Sequence, residues 1–169
     1  PEWERKELID IMDYEQPTKY IVDSTEYSDH FKTPVLTAGK TFILGFTDED
    51  KNHFTDFPVI IFDDFTTAFK FVDFAFKVKS SAMKILRPRE NVNVRFVYEA
   101  MKIIRFPKGE HKRYWISEYC FMKIPFPSEE EQHRIAALSV KFDQKTDAVD
   151  RKLETIQKLK KGLLQQMFV

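Results

Sequence analysis

Cysteine is almost absent from this sequence, in which Cys120 is the only one. An internal disulfide and a zinc site built from several thiolates are therefore excluded, and such a low cysteine content is typical of the reducing cytoplasm. The four histidines lack the spacing of metal ligands. No apolar run approaches the ~20 residues of a membrane span. We therefore expect a cytoplasmic protein that uses no metal ion or other cofactor and has no membrane partner.

Glycine is also scarce, with 4 in 169 residues, whereas 43% of the residues are hydrophobic and 15% are aromatic. This composition supplies a packed core and argues against disorder. The length suits one domain, or one domain with a long appendage, and is too short for two large domains. Because the sequence begins with Pro1 rather than a methionine, we expect the chain to be a fragment or a processed product.

Net charge is absent as well, since 27 basic residues balance 27 acidic ones. The balance conceals an uneven distribution. Residues 1–76 carry 7 Lys/Arg and 16 Asp/Glu, whereas residues 77–113 carry 11 and 3. A local basic surface is what contacts with nucleic-acid phosphates require. The alternative is a solvated basic face that the acidic half neutralises after folding, and charge alone leaves both interpretations open.

The middle of the sequence has the patterns of β-strands. An apolar run at 59–62, alternating apolar residues over 71–78 and the segment 82–88 each predict a strand. Apolar residues at helical spacing predict a helix over 94–104. From 114 to 127 the chain is predicted to be extended again and to end in prolines. The sequence therefore predicts an α+β fold.

A long helix is predicted from Ser128 to Met167, because Ser128 and Glu131 have the spacing of a capping box. Its apolar stripe consists of Ile135, Leu138, Phe142, Val149, Leu153, Ile156 and Leu163. At 1.5 Å per residue this helix would reach roughly 60 Å, which exceeds what one small domain covers, so we expect the stripe to pair with a second helix. The alternative is a bent hairpin that turns near Lys145 or Asp147 and packs on its own domain.

Several spaced residues together form a recognisable pattern. A proline-containing strand is followed by an acidic pair with Gln, by Ile-Ala, by a later Asp, and by a helix ending in Lys-Lys-Gly-Leu-Leu-Gln-Gln-Met-Phe. The positions are Pro125, Pro127, Glu130, Glu131, Gln132, Ile135, Ala136, Leu138, Asp143, Lys160, Lys161, Gly162, Leu163, Leu164, Gln165, Gln166, Met167 and Phe168. Near the start, Trp3, Leu8, Asp10 and Ile11 add to it, with Ile9 in place of a glycine. The pattern resembles one half of a specificity subunit of type I restriction-modification enzymes, and the middle of the chain is similar to one class of its target recognition domains.

This resemblance implies a single mixed-sheet target recognition domain over 1–126. It also implies a conserved dimerisation and spacer helix over 127–169, in an antiparallel coiled coil with a partner helix. The implied partners are double-stranded DNA with a bipartite target, the methyltransferase (modification) and restriction subunits, and a second specificity half or an identical chain. Specificity subunits of this family direct the other subunits and are not themselves enzymes.

Polar loops with nearby cations are the candidates for DNA binding. Lys and Arg would hold phosphates, while Thr and Ser would reach base edges. The candidate residues are Thr37, Gly39, Lys40, Thr66, Thr67, Lys70, Lys77, Lys79, Ser80, Ser81, Lys108, His111, Lys112 and Arg113. For each residue taken singly, the alternative is an ordinary solvated side chain.

Two other functions remain open from the residues alone. Asp63 and Asp64 with Lys70, or Glu99 with Lys102, suggest a metal-dependent nuclease, although paired aspartates after a strand are more often turn residues. The long helix by itself suggests a purely structural dimerisation module. DNA binding without turnover, DNA cleavage with magnesium, or neither would distinguish the three.

Overall fold

The computed structural model describes residues 3–39, 41–107 and 112–168. The elements are β1 (Glu4–Glu7), α1 (Leu8–Ile11), β2 (Met12–Glu15), β3 (Thr33–Leu36), β4 (Ile43–Thr47), β5 (Val59–Asp63), β6 (Phe69–Val72), β7 (Lys77–Val78), β8 (Met83–Pro88), α2 (Val94–Lys102), α3 (Tyr114–Ser117), β9 (Lys123–Phe126) and α4 (Glu129–Met167). Short 3₁₀ turns lie at Thr18–Tyr20 and Tyr119–Phe121. No helix within these described ranges is long and apolar enough to cross a membrane.

The strands form three sheets. Four antiparallel strands lie in the order β2-β8-β5-β6, and β1 pairs antiparallel with β9. The third sheet, β4-β3-β7, is mixed, because β3 runs antiparallel to β4 and parallel to β7. The predicted α+β class with a mixed sheet and a long C-terminal helix is therefore confirmed.

The four-stranded sheet separates two hydrophobic clusters. Side chains alternate between the faces of a strand, so Ile60 and Phe62 of β5 pack on the side of α2, while Val59 and Ile61 pack on the side of the three-stranded sheet. All four are buried. Burial on both faces explains why β5 reads as a continuous apolar run rather than as alternation.

Two predicted elements were wrong in part. The alternating segment 71–78 is not one strand, because β6 ends at Val72 and β7 begins at Lys77 in a different sheet. Val72, Phe76 and Val78 are still buried, and Phe76 forms an isolated bridge with Phe54 as the chain crosses between sheets. The segment from 114 is also not extended at first: it forms α3 and a 3₁₀ turn before β9 begins at Lys123.

The start of α4 is fixed by local and tertiary hydrogen bonds. The predicted capping box is present: the Ser128 side chain accepts from the Glu131 amide, and the Glu131 carboxylate accepts from the Ser128 amide. These contacts with the Ser128 side chain and backbone lower the pKa of Glu131. The buried Gln132 donates to the Pro127 carbonyl at 3.1 Å and accepts from the Asn93 amide at 2.9 Å. The first turn of α4 is thereby joined to the first turn of α2.

Helix α4 runs for 39 residues without a break, about 58 Å at 1.5 Å per residue. The bent hairpin that would turn near Lys145 or Asp147 is therefore wrong. A second attachment to the domain lies about three to four turns into the helix, where Arg95 of α2 forms an ion pair with Asp143 and donates to Ser139 at 3.3 Å. Beyond Asp143 the helix leaves the domain, and almost all of its residues are exposed.

Candidate nucleic-acid interface

The four loops predicted to bind DNA all have described residues at one end of the domain. The amide of Lys79, after β7, donates to the carbonyl of Leu36, at the end of β3, at 3.1 Å. The amide of Asp64, after β5, donates to the carbonyl of Ala82, just before β8, at 3.0 Å. The amide of Tyr114 donates to the carbonyl of Asp64 at 2.8 Å. The start of the β3–β4 loop, the β5–β6 turn, the β7–β8 loop and the described residues just before α3, Lys112 and Arg113, are therefore neighbours, and we call this surface the loop end.

The β5–β6 turn is built by the first of two adjacent aspartates. Asp63 accepts hydrogen bonds at its Oδ1 from the amides of Phe65 at 3.0 Å and Thr66 at 2.8 Å. Thr67 lies in the left-handed region, with a φ of 56°, and its amide donates to the Asp63 carbonyl at 2.9 Å. The interpretation of this pair as turn residues is thereby confirmed for Asp63.

The second aspartate, Asp64, is fully buried beneath the loop end. Its Oδ1 accepts from the amide of Trp115 at 2.8 Å, and its Oδ2 lies 3.0 Å from the ammonium of Lys84, which is also fully buried. A nuclease metal site needs converging carboxylates that the substrate can approach. A buried, ion-paired Asp64 does not meet that requirement.

The second nuclease candidate is engaged in a surface network. Glu99 lies 3.0 Å from Arg95 and 2.8 Å from Lys102 on the same helix. Within the described ranges no group of three or more His, Cys, Asp or Glu side chains is arranged to hold a metal ion.

The predicted DNA-binding residues differ in accessibility. Exposed side chains are those of Thr66, Lys79, Ser80, Ser81 and Arg113. Partly buried ones are Thr37, Gly39, Lys70 and Lys112. Lys40, Lys108 and His111 lie outside the described residues. The exposed group comes from three of the four loops, and it places hydroxyls beside cations at the loop end.

Two of the predicted DNA contacts do not fit the structure. Lys77 is 2% exposed, because its ammonium forms an ion pair with Glu49 and donates to the Lys51 carbonyl at 3.1 Å. It is therefore not placed to hold a phosphate. Thr67 is 7% exposed, so its hydroxyl is not presented on the turn as that of Thr66 is. Both predictions assumed that a polar residue next to a loop lies at the surface.

The carboxylate of Glu49 explains the burial of Lys77. Burial raises the pKa of Glu49, but hydrogen bonds from Lys77 and from the amides of Ser24 and Asp23 outweigh it, so the pKa is lowered overall. The amides of Asp23 and Ser24 donate to its Oε1 at 2.9 and 3.0 Å. The acidic side chain remains ionised and compensates the buried ammonium.

Much of the basic segment 77–113 is neutralised by the acidic half, as the second interpretation of its charge predicted. The ion pairs that join the two halves are Lys77–Glu49, Lys84–Asp64, Arg87–Glu15, Arg87–Asp56 and Arg89–Asp13. By contrast, Lys79, Arg105 and Arg113 form no ion pair with any residue in the described part of the chain. Two of these three, Lys79 and Arg113, lie at the loop end, so the basic surface is smaller than the count of charges suggests.

The apolar stripe of α4 forms a second candidate surface. Six of its predicted residues are at least half exposed: Leu138, Phe142, Val149, Leu153, Ile156 and Leu163. Ile135 differs, because it packs partly against the domain cluster beside Phe96. The domain covers only the first turns of the helix, and the stripe continues uncovered beyond them. An apolar surface of this length and regularity is typical of an interaction site.

Sequence reasoning missed the Asp64–Lys84 pair. The signal was Lys84 itself, a charged residue inside the apolar strand β8 between Met83 and Ile85. A lysine at such a position is almost never buried unless it is paired. The partner could not be found locally, since Asp64 lies twenty residues earlier, just after the neighbouring strand β5.

Fold and surfaces together define an α+β domain with polar, cationic loops at one end and a long helix with an exposed apolar stripe. No family model matches the chain. The type I restriction enzyme EcoR124I/EcoR124II specificity subunit from Escherichia coli is 47% identical over 137 residues, which is 78% of this chain and 34% of that protein. The chain thus spans about a third of the length of this curated relative. It belongs to the family of type I restriction enzyme specificity subunits.

Solved structures share the fold at low identity. The S subunit of the type I restriction-modification system of M. genitalium matches with a TM-score of 0.65 and 19% identity, over 86% of this chain and 40% of that one. A chain from a structure of type I restriction-modification complex assembly matches with a TM-score of 0.65 and 17% identity, over 95% and 43%. The HsdS subunit of Thermoanaerobacter tengcongensis matches with a TM-score of 0.53 and 16% identity, over 89% and 40%.

Proposed function

We propose that the chain is the DNA-recognition half of a type I specificity subunit. Residues 1–126 form the target recognition domain and read one half of a bipartite DNA target, and residues 127–169 form the spacer helix. The chain performs no chemistry, uses no cofactor and acts in the cytoplasm, where it directs methyltransferase and restriction subunits to DNA. The observation that carries the proposal is the convergence of polar, cationic loops at one end of a domain that belongs to this family.

The arrangement of the loop end suits sequence reading. Lys79 and Arg113 are exposed cations without an acidic partner among the described residues, so they are available to phosphates, which fix the register of a protein on the duplex. Thr66, Ser80 and Ser81 supply exposed hydroxyls, which can donate to or accept from base edges. Cations that can hold phosphates and hydroxyls that can contact base edges thus lie on the same surface.

The experiment is selection of DNA by the purified chain. The chain is incubated with random duplex DNA, with and without Mg²⁺, and the retained and cut molecules are sequenced. We expect retention of a shared sequence, weaker retention at higher salt, and no cleavage in either condition. Cleavage that depends on Mg²⁺, or retention without any shared sequence, would contradict the proposal.

Pairing of two chains through α4 is part of the same proposal. The exposed stripe supports it, and we infer an antiparallel pair with another specificity half or with an identical chain. A closed pair of identical chains is two-fold symmetric, so the selected DNA would contain two inverted half-sites separated by a spacer.

Pairing is tested by sedimentation of Leu153→Glu/Ile156→Glu. We expect the wild-type chain to dimerise and this variant to remain monomeric, because each glutamate would bury a charge in the interface. The matched control is Gln144→Glu/Thr155→Glu, which adds the same charge on the other side of the helix and should dimerise like wild type. A wild-type chain that stays monomeric at high micromolar concentration would refute pairing of identical chains and leave pairing with another specificity half, and the recognition role would stand.

A further inference from the structure

The loop end is held together from below by one buried ion pair. Asp64 uses its backbone amide to bond the β7–β8 loop at Ala82, and its carbonyl and carboxylate to bond the start of α3 at Tyr114 and Trp115. Because it follows β5 directly, it also belongs to the turn that presents Thr66. Three separate loops therefore meet at one residue.

Lys84 fixes the direction of that carboxylate. Its ammonium lies 3.0 Å from Asp64 Oδ2 and donates to Gln16 Oε1 at 3.3 Å, and its side chain is fully buried in β8. With Oδ2 facing Lys84, Oδ1 faces the Trp115 amide. The carboxylate is thus held from two sides and has no contact with solvent.

We propose that the Asp64–Lys84 pair is a positioning device for DNA sequence discrimination: it holds the three loops in one mutual arrangement without touching DNA. This inference rests on the proposed DNA-recognition function. A buried ion pair contributes little net stability, because desolvation of the two charges offsets their attraction. The two charges remain 3.0 Å apart only while the β5–β6 turn and β8 keep this arrangement, however, and fixing that arrangement is the role assigned to this pair.

The distinguishing variant is Asp64→Leu/Lys84→Met, which replaces both charges with apolar side chains of similar size. Such replacements of buried pairs are often neutral for stability. We expect a cooperative thermal transition close to that of wild type and unchanged affinity for an arbitrary duplex. We also expect the ratio of the dissociation constants for a scrambled and a selected duplex to fall about tenfold or more, the discrimination that one displaced base contact provides.

The ratio of the two dissociation constants distinguishes a positioning role of the ion pair from a contribution to stability. Loss of folded protein lowers the binding of all duplexes alike and leaves the ratio unchanged. The matched control is Ile124→Ala, a cavity variant of the buried residue in β9 beside the start of α4. It should lower the melting temperature and keep the ratio.

Retention of full discrimination by a folded Asp64→Leu/Lys84→Met would overturn the proposal. If that variant does not fold, Asp64→Asn/Lys84→Met is measured by the same criterion. This second variant keeps a side-chain oxygen that accepts from the Trp115 amide, but it loses the ion pair that fixes the direction of that oxygen. We therefore expect a smaller fall in the ratio of dissociation constants. A ratio equal to that of wild type would again reject the inference. A wild-type chain with no sequence preference refutes the proposed function itself, before any variant is compared.

Discussion

Lys77 and Lys79 lie two residues apart and should give opposite results when each is replaced by methionine. Lys77 is buried against Glu49, whereas Lys79 is exposed at the loop end. We expect Lys77→Met to lower stability and leave the salt dependence of DNA binding unchanged. Lys79→Met should lower the salt dependence and leave stability unchanged.

The magnitudes follow from the contacts. Breaking a fully buried pair costs about 3–5 kcal/mol. The Glu49 side chain is 17% exposed and keeps its two backbone donors, so we expect about 2–3 kcal/mol for Lys77→Met, a fall in melting temperature of about 4–12 °C. For Lys79→Met, one lost phosphate contact lowers the slope of log K against log salt by about 0.9, and an exposed substitution changes stability by about 0.5 kcal/mol or less.

Two assays measure these effects separately. Thermal unfolding followed by circular dichroism gives the melting temperatures, and fluorescence anisotropy with a labelled duplex at several salt concentrations gives the slopes. Because the two positions act on different quantities, the double variant should show both changes, each at its single-variant size. The reasoning is refuted if Lys77→Met reduces the slope while its melting temperature stays at the wild-type value, or if Lys79→Met leaves the slope unchanged.

Three further predictions concern the cap of α4, a buried carboxylate and the β5–β6 turn. Ser128→Ala should lower the free energy of unfolding in urea by about 1 kcal/mol, because the capping hydrogen bond is lost; no change would show that the cap does not stabilise the folded chain. Since the folded-state pKa of Glu49 is below its ordinary value of 4.5, its stabilising contribution is present above that pH and lost as the pH falls through the folded pKa. The difference in unfolding free energy between wild type and Glu49→Gln should therefore shrink below pH 4.5, and a constant difference would contradict the assignment. Thr66→Ala should change the DNA sequence selected while the melting temperature stays close to wild type, and an identical selected sequence would remove Thr66 as a reader.

Features set by neighbouring residues were predictable from the sequence. The capping box of α4 requires only a serine and a glutamate three positions apart, and both hydrogen bonds form as expected. The helix over 94–104 was correct to within two residues at its end, since α2 ends at Lys102, and its cap is Asn93, which accepts from the Phe96 amide at 3.1 Å. The start of β5 was correct for the same reason, because a dense apolar run leaves few alternatives.

Features set by distant residues were not predictable. The segment 71–78 alternates like one strand, but periodicity does not identify the partner, and the chain changes sheets after Val72. The burial of Lys77 depends on Glu49, which lies 28 positions earlier and belongs to another part of the fold. The sequence identified the polar loops of the loop end but did not show that they are neighbours. Their proximity depends on Asp64 and on strands β3, β5 and β7 ending beside the start of β8.

The pairing of β1 with β9 has a consequence for how such domains evolve. Glu4 lies opposite Phe126, so the first and last strands of the domain leave it side by side, immediately before α4 begins. Domains whose ends are adjacent tolerate insertion into other chains and removal from them. A recombination event that exchanged everything between β1 and β9 would replace the whole loop end together with α2, which contacts α4 through Asn93 and Arg95, and would leave the helix itself unchanged. A different loop end could thus be acquired by exchange of one cassette, with no change to the exposed apolar stripe of α4.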